Sequence, residues 1–193
     1  MTRPEPARPD REAWRPTREQ IAAAEGRTVP DVIGKGLDVL FVGINPGLYS
    51  GAVGHHFARP GHRFWKTLHS AGFTPRVLSP FEEKELPEFG VGITNLVERA
   101  TRGAEQLDAG ELREGAGKVE AKICRHAPRA VAFLGVGAYR SAFGLPKASV
   151  GPQGRTICHA DIWVLPNPSG LNAHYQLGAL ISAFGALRAA LAS

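Results

Sequence analysis

Apolar positions along this chain gather into short runs separated by amphipathic stretches. The first run, Asp38-Val39-Leu40-Phe41-Val42-Gly43, has strand length and no polar residue after Asp38, the pattern of a strand covered on both faces. Val91 to Leu96, Ala130-Val131-Ala132-Phe133-Leu134 and Ile162-Trp163-Val164-Leu165 read as further strands, with a short extra strand at Thr156 to Cys158. Between them the period changes. A helix is predicted over 62–71, ending at Gly72, and another follows Asp108, where Glu111 completes a capping box and Leu112, Val119 and Ile123 share one face up to the stop at Pro128. The last helix places Leu177, Leu180, Ile181, Phe184, Leu187 and Leu191 at helical spacing.

Strands alternating with helices predict an α/β fold, a three-layer α/β/α sandwich around a mostly parallel sheet. Its length of 193 residues suits one domain over 31–193. Residues 17–30 read as a helix opened by the capping box Thr17-Arg18-Glu19-Gln20, plus a linker. Residues 1–16 mix proline with both signs of charge and read as a disordered tail. No run reaches the roughly 18 apolar residues of a membrane helix, and the N-terminus has no secretory h-region, so a cytoplasmic, bacterial-type protein that does not engage membranes is expected.

Two composition facts narrow the chemistry. Cys124 and Cys158 are too few for a four-thiolate iron-sulfur or zinc site, and two buried free thiols are expected. The net charge of +5 is unevenly spread, because no acid occurs between Asp38 and Glu82 while Arg59, Arg63, Lys66, Arg76 and four histidines do. That stretch is a candidate surface for phosphates.

Two loops begin where predicted strands end, the edge at which open α/β sheets bind ligands. Gly43-Ile44-Asn45-Pro46-Gly47 follows the first strand and is neither a Walker loop nor a Gly-x-Gly-x-x-Gly loop; its turn leaves the Asn45 amide able to donate and accept. Asn167-Pro168-Ser169-Gly170-Leu171-Asn172 follows the last strand and carries Leu171 in a polar turn, where an apolar wedge could enter a base stack. Between them, Phe57 lies among polar residues, where it could pack or stack on a base. His55 and His56 make a poor metal pair, since sequence neighbours diverge and no acid lies near in sequence.

Taken together, Gly-Ile-Asn-Pro-Gly, Gly54-His55-His56-Phe57 with Arg63-Phe64-Trp65, Gly92-Ile93-Thr94-Asn95-Leu96-Val97-Glu98-Arg99, and Asn-Pro-Ser-Gly-Leu resemble, in order and spacing, the mismatch-specific uracil-DNA glycosylase and thymine-DNA glycosylase family. The resemblance runs from about residue 31 to the C-terminus. It implies a uracil-glycosylase fold without metal or organic cofactor, a monomer, and duplex DNA bearing G·U or related mispairs as partner. It also implies roles. Asn45 would place the hydrolytic water near the sugar C1′. Phe57 would stack on the flipped base, whose edge would meet backbone groups of Ile44 and Phe57, with Gly47, Asn95 and Asn167 in the pocket and Ser50 near the base C5. Leu171 would fill the gap left in the duplex. The backbone at Gly170 and Asn172 would read the widowed guanine, with His174, Arg59 and Arg63 at the DNA surface. The sequence departs from some members at Tyr49, in place of a small residue, at Asn95, in place of lysine, and at Ala173-His174, where an arginine can stand. Glu98, Asp108 and Asp161 are the acids considered for a supporting role, Asp108 reading better as a helix cap and Glu98 as an ion-pair partner of an arginine.

Overall fold

The computed structural model describes residues 15–170 and 175–192. Most of the expected N-terminal tail, and Leu171, Asn172 and His174 of the second loop, therefore lie outside the described residues. Four parallel strands, β1 (Val39–Gly43), β2 (Val91–Asn95), β3 (Ala130–Leu134) and β5 (Ala160–Leu165), form the sheet with β4 (Gly151–Ile157) at one edge, in the order β2-β1-β3-β5-β4. Only β4 runs antiparallel, as a hairpin on β5. The α/β/α architecture is the one the apolar runs predict.

The runs are continuous because both sheet faces are covered, so alternate residues of each strand serve opposite layers. Val39, Phe41, Ile93, Ala132 and Leu165 pack with α3 (Phe64–Ser70) and α6 (Leu177–Leu191), through Phe64, Leu68, Phe184 and Leu187. Leu40, Val42, Val131, Phe133 and Ile162 pack with α4 (Ala109–His126) and α5 (Val136–Phe143), through Leu112, Val119, Ile123 and Tyr139. Asp108 caps α4 in the expected box with Glu111, and Thr17 does the same for α1 (Arg18–Ala22) with Gln20.

Three elements were not legible in the pattern. α2 (Leu48–Val53) and α5 are one to two turns long, too short for a stripe to repeat, and a 3-10 helix over Pro80–Phe89 contains Pro87. β4 is also longer than the expected Thr156 to Cys158, because its glycine-interrupted, half-exposed sequence carries no apolar run. The thiols are corrected outright. Cys124 and Cys158 are exposed and joined as a disulfide that ties the end of α4 to the β4–β5 turn. A lone pair of cysteines gives no sequence cue that the fold will bring them together.

Phe41 is fully buried at the centre of one layer, edge-on to Phe64 and Phe73 at 5.6 and 5.4 Å and stacked on Phe184 at 5.4 Å. Phe41→Ala should cost about 3–5 kcal/mol of folding stability. Urea unfolding should show this as a lower midpoint at unchanged slope.

Candidate active site

The carboxyl ends of β1, β2 and β5 open on one cavity of about 650 Å³. The loops after β1 and β2 run together as an extension of the sheet: Leu96 and Val97 donate to the carbonyls of Gly43 and Ile44 at 2.9 Å, and the Thr101 amide donates to the Pro46 carbonyl at 3.1 Å. This backbone ladder brings Asn45 beside Arg99 and Thr101, more than fifty residues away in sequence.

Two glycines make room at the edge. A β-carbon on Gly43 would collide with the Asn95 carboxamide oxygen and press on Phe57. Gly135, at the end of β3, has φ +129° and a substituent there would meet Ile44 and approach Asn167. Either side chain would wedge the loops apart, and the backbone at Gly135 is one that L-residues rarely adopt.

Asn45 is half-buried, and its amide nitrogen is fully committed. Nδ2 donates to Thr101 Oγ1 at 2.7 Å and to the Arg99 carbonyl at 3.1 Å, with the Pro46 carbonyl at 3.2 Å. Thr101, fully buried, donates its own hydroxyl hydrogen bond to the Gly103 carbonyl at 2.9 Å, which leaves Oγ1 as an acceptor for Asn45. With both N–H groups engaged, Oδ1 is the end of the amide left to face the cavity. Thr101 lies just beyond the third motif and was missed in the sequence.

Phe57 occupies a left-handed conformation, φ 52°, unusual for a bulky residue. Its ring lies on Phe64 at 4.2 Å and on His62 at 5.0 Å, and the next amide, that of Ala58, donates to Ser50 Oγ at 3.0 Å. Ser50 therefore braces the Phe57 turn, while its neighbour Tyr49 lines the cavity and stays half-buried. Under the floor, His56 is buried with Nε2 2.9 Å from the Pro30 carbonyl and Nδ1 3.4 Å from Asn95 Nδ2. Burial holds the His56 pKa below its usual value against the opposing pull of Glu83. A carbonyl can only accept, so the neutral ring carries its proton on Nε2 and accepts from Asn95.

The buried carboxylate of Glu83, an acid distant in sequence, reaches the His55 ring and the His56 amide, both at 2.8 Å. His55 and His56 diverge around it. Among the described residues no group of three or more His, Cys, Asp or Glu side chains could hold a metal ion.

Of the expected site residues, Ile44, Asn45, Gly47, Ser50, Phe57, Asn95, Asn167 and Arg59 all line the cavity. Asn167 Oδ1 accepts from the Ser169 amide at 2.9 Å and shapes the second loop. Gly170 is exposed at that loop, near the Gly61 carbonyl. Arg63, expected at the DNA surface, is instead turned inward: its guanidinium donates to the carbonyls of Pro168, Ser169 and Tyr175, bracing both ends of the second loop. Arg76 is likewise paired, with Glu82 and Glu85. The acid-free stretch is thus partly internal wiring, and Arg59 is its arginine at the cavity.

The three acids considered lie elsewhere. Asp108 caps α4, Glu98 pairs with Lys122 at 3.3 Å rather than with an arginine, and Asp161 lies at the amino end of β5, in register with Ala130 of β3 and away from the cavity. Glu105, exposed at the cavity mouth, is the acid that lines it, and no motif pointed there.

A profile of the uracil DNA glycosylase superfamily matches residues 30–189. The chain therefore belongs to the uracil DNA glycosylase superfamily, whose activity is removal of uracil from DNA by hydrolysis in base-excision repair. Its fold is similar to the solution structure of a protein from Methanosarcina acetivorans that bears the provisional description uracil DNA glycosylase, at 20% identity and a TM-score of 0.53, covering 84% of this chain and 98% of that one.

His62 also lines the cavity, and burial, assisted by the charges of Arg63 and Arg59, holds its pKa down at about 4 against the usual 6.5. As pH falls, the unfolded chain binds this proton before the folded one does. The stability contributed by the neutral ring is therefore complete above pH 6.5 and is lost between pH 6.5 and about 4. A melting series over that range should show a steeper fall for the wild type than for His62→Gln.

Proposed function

We propose that this chain is a monofunctional, mismatch-directed glycosylase that takes uracil opposite guanine out of duplex DNA and hydrolyses its N-glycosidic bond. The observation that carries the reading is the Asn45 side chain at the cavity, its amide nitrogen held by Thr101 and the Arg99 carbonyl, which leaves the amide oxygen as its available acceptor. An amide oxygen is too weak a base to take a proton, but it can hold a water against the sugar C1′. As the C1′–N1 bond breaks, its electrons pass to the pyrimidine, the water oxygen bonds to C1′, and the water's proton leaves to solvent or to the departing base. Asn45 aims this water and takes no proton itself. Slow turnover follows, with much of the selectivity resting on how easily a mispaired base leaves the stack.

The other roles follow the same reading. Phe57 offers its ring to the flipped base, with Phe64 packed against that ring. Ile44 and Phe57 offer backbone groups to the base edge, with Asn95 and Asn167 at the cavity wall. Tyr49 takes up space at the cavity wall, which supports uracil and ethenocytosine over thymine. Leu171, Asn172 and His174 are assigned to the duplex with Gly170, Leu171 as the wedge and the backbone at Gly170 and Asn172 on the guanine. The enzyme acts as a monomer without metal or cofactor, in the cytoplasm.

Labelled duplex with one central G·U pair, incubated with the protein and then cleaved with alkali at abasic sites, tests the activity. A product band from wild type and loss of it in Asn45→Ala are expected. No product above the Asn45→Ala level would refute the enzyme and, with tight G·U binding, would leave a mispair-binding protein instead. Thr101→Val, which removes the acceptor for Asn45 Nδ2, should lower the single-turnover rate about tenfold with duplex affinity unchanged. Thr101→Ser keeps the hydroxyl and should retain most of the rate.

A further inference from the structure

An anionic leaving group needs hydrogen-bond donors near its oxygens, and several side-chain donors at this cavity are already engaged. Both N–H groups of Asn45 are held by Thr101 and the Arg99 carbonyl, and Asn95 Nδ2 is directed at His56 Nδ1. His62 is different. It sits in the loop just before α3, and the Phe64 amide donates to its Nδ1 at 3.2 Å. A backbone N–H can only donate, so Nδ1 carries a lone pair and the neutral ring must carry its proton on Nε2.

The rest of the ring's surroundings hold that N–H in place. One side of the ring lies against Phe57, the residue assigned to the flipped base, with centroids 5.0 Å apart. Nε2 has no hydrogen-bond partner among the described residues, and it is not among the sealed-off polar atoms either. It therefore meets open space, and the open space that His62 borders is the cavity. The neighbouring charges of Arg59 and Arg63 oppose a second proton on the ring. The same charges favour an anion beside it.

We propose that His62 is a catalytic residue of base excision, donating a hydrogen bond from Nε2 to a carbonyl oxygen of the pyrimidine as the C1′–N1 bond breaks. The bond pair moves onto the base, and negative charge grows on its exocyclic oxygens within reach of a fixed donor that costs no reorganisation. No proton is transferred; His62 stays neutral throughout. A neutral imidazole suits this better than imidazolium, since a charged ring would give up its bond from Phe64 and carry a large burial penalty. The proposal rests on the glycosylase reading above.

The test uses leaving groups of different quality. Single-turnover excision of uracil and of 5-fluorouracil, each opposite guanine in the same duplex, is compared for wild type, His62→Phe and His62→Gln. Fluorine makes the departing anion more stable, so that it needs less help. His62→Phe should slow uracil excision about 100-fold and 5-fluorouracil excision by less than about tenfold. His62→Gln, which keeps an N–H donor, should recover part of the uracil rate. Equal losses on the two bases, with wild type active, would show a packing role and overturn the proposal alone. A wild type inactive on both would overturn the glycosylase reading and this proposal with it. If His62→Phe does not fold, nitrogen-15 NMR of the wild-type ring decides: a proton on Nε2 at pH 7 is expected, and one on Nδ1, or on both nitrogens, would overturn the assignment.

Discussion

The hydrogen bonds that turn the Asn45 amide are the constraint on which the site depends. An asparagine side chain has a donor end and an acceptor end of nearly the same shape, and the proposed chemistry uses only the acceptor. Thr101 Oγ1 and the Arg99 carbonyl settle the choice by taking both N–H groups, at 2.7 and 3.1 Å. They can do so because the loops after β1 and β2 are laddered together beyond the sheet, and because Thr101 donates its own hydroxyl to the Gly103 carbonyl. In the proposed mechanism the fold's contribution is thus to remove one of two otherwise equivalent orientations.

The same logic recurs around the cavity. His56 and His62 are each held as neutral rings with a defined tautomer, one by a carbonyl that must accept and the other by an amide that must donate. Burial keeps both from charging near neutral pH. Arg63 uses its guanidinium to brace the second loop, which holds the loop's ends while Arg59 remains at the cavity.

The parallel sheet was legible because burial on both faces writes continuous apolar runs, and the run from Val39 to Val42 and the run from Ala130 to Leu134 each became a strand at nearly the expected bounds. The two asparagine loops were legible because strand ends locate them on one edge. What the sequence did not reveal depends on contacts between distant residues. Thr101 is an ordinary buried threonine until the ladder sets it against Asn45. Glu83 carries no motif, and its meeting with His55 and His56 is made by a 3-10 helix with no apolar stripe. Arg63 looked like a phosphate contact because charge composition cannot tell a surface arginine from one turned inward onto carbonyls. Cys124 and Cys158 likewise carry no sign in the sequence of the disulfide the fold makes between them.

The central claim is that Asn45 and Thr101 act as one device for aiming water. A double-mutant cycle on single-turnover excision of uracil opposite guanine measures this directly, using Asn45→Ala, Thr101→Val and the pair together. If Thr101 acts only through Asn45, the double variant will be no slower than Asn45→Ala alone. Losses that multiply, so that Thr101→Val slows the Asn45→Ala enzyme as much as it slows the wild type, would contradict the account.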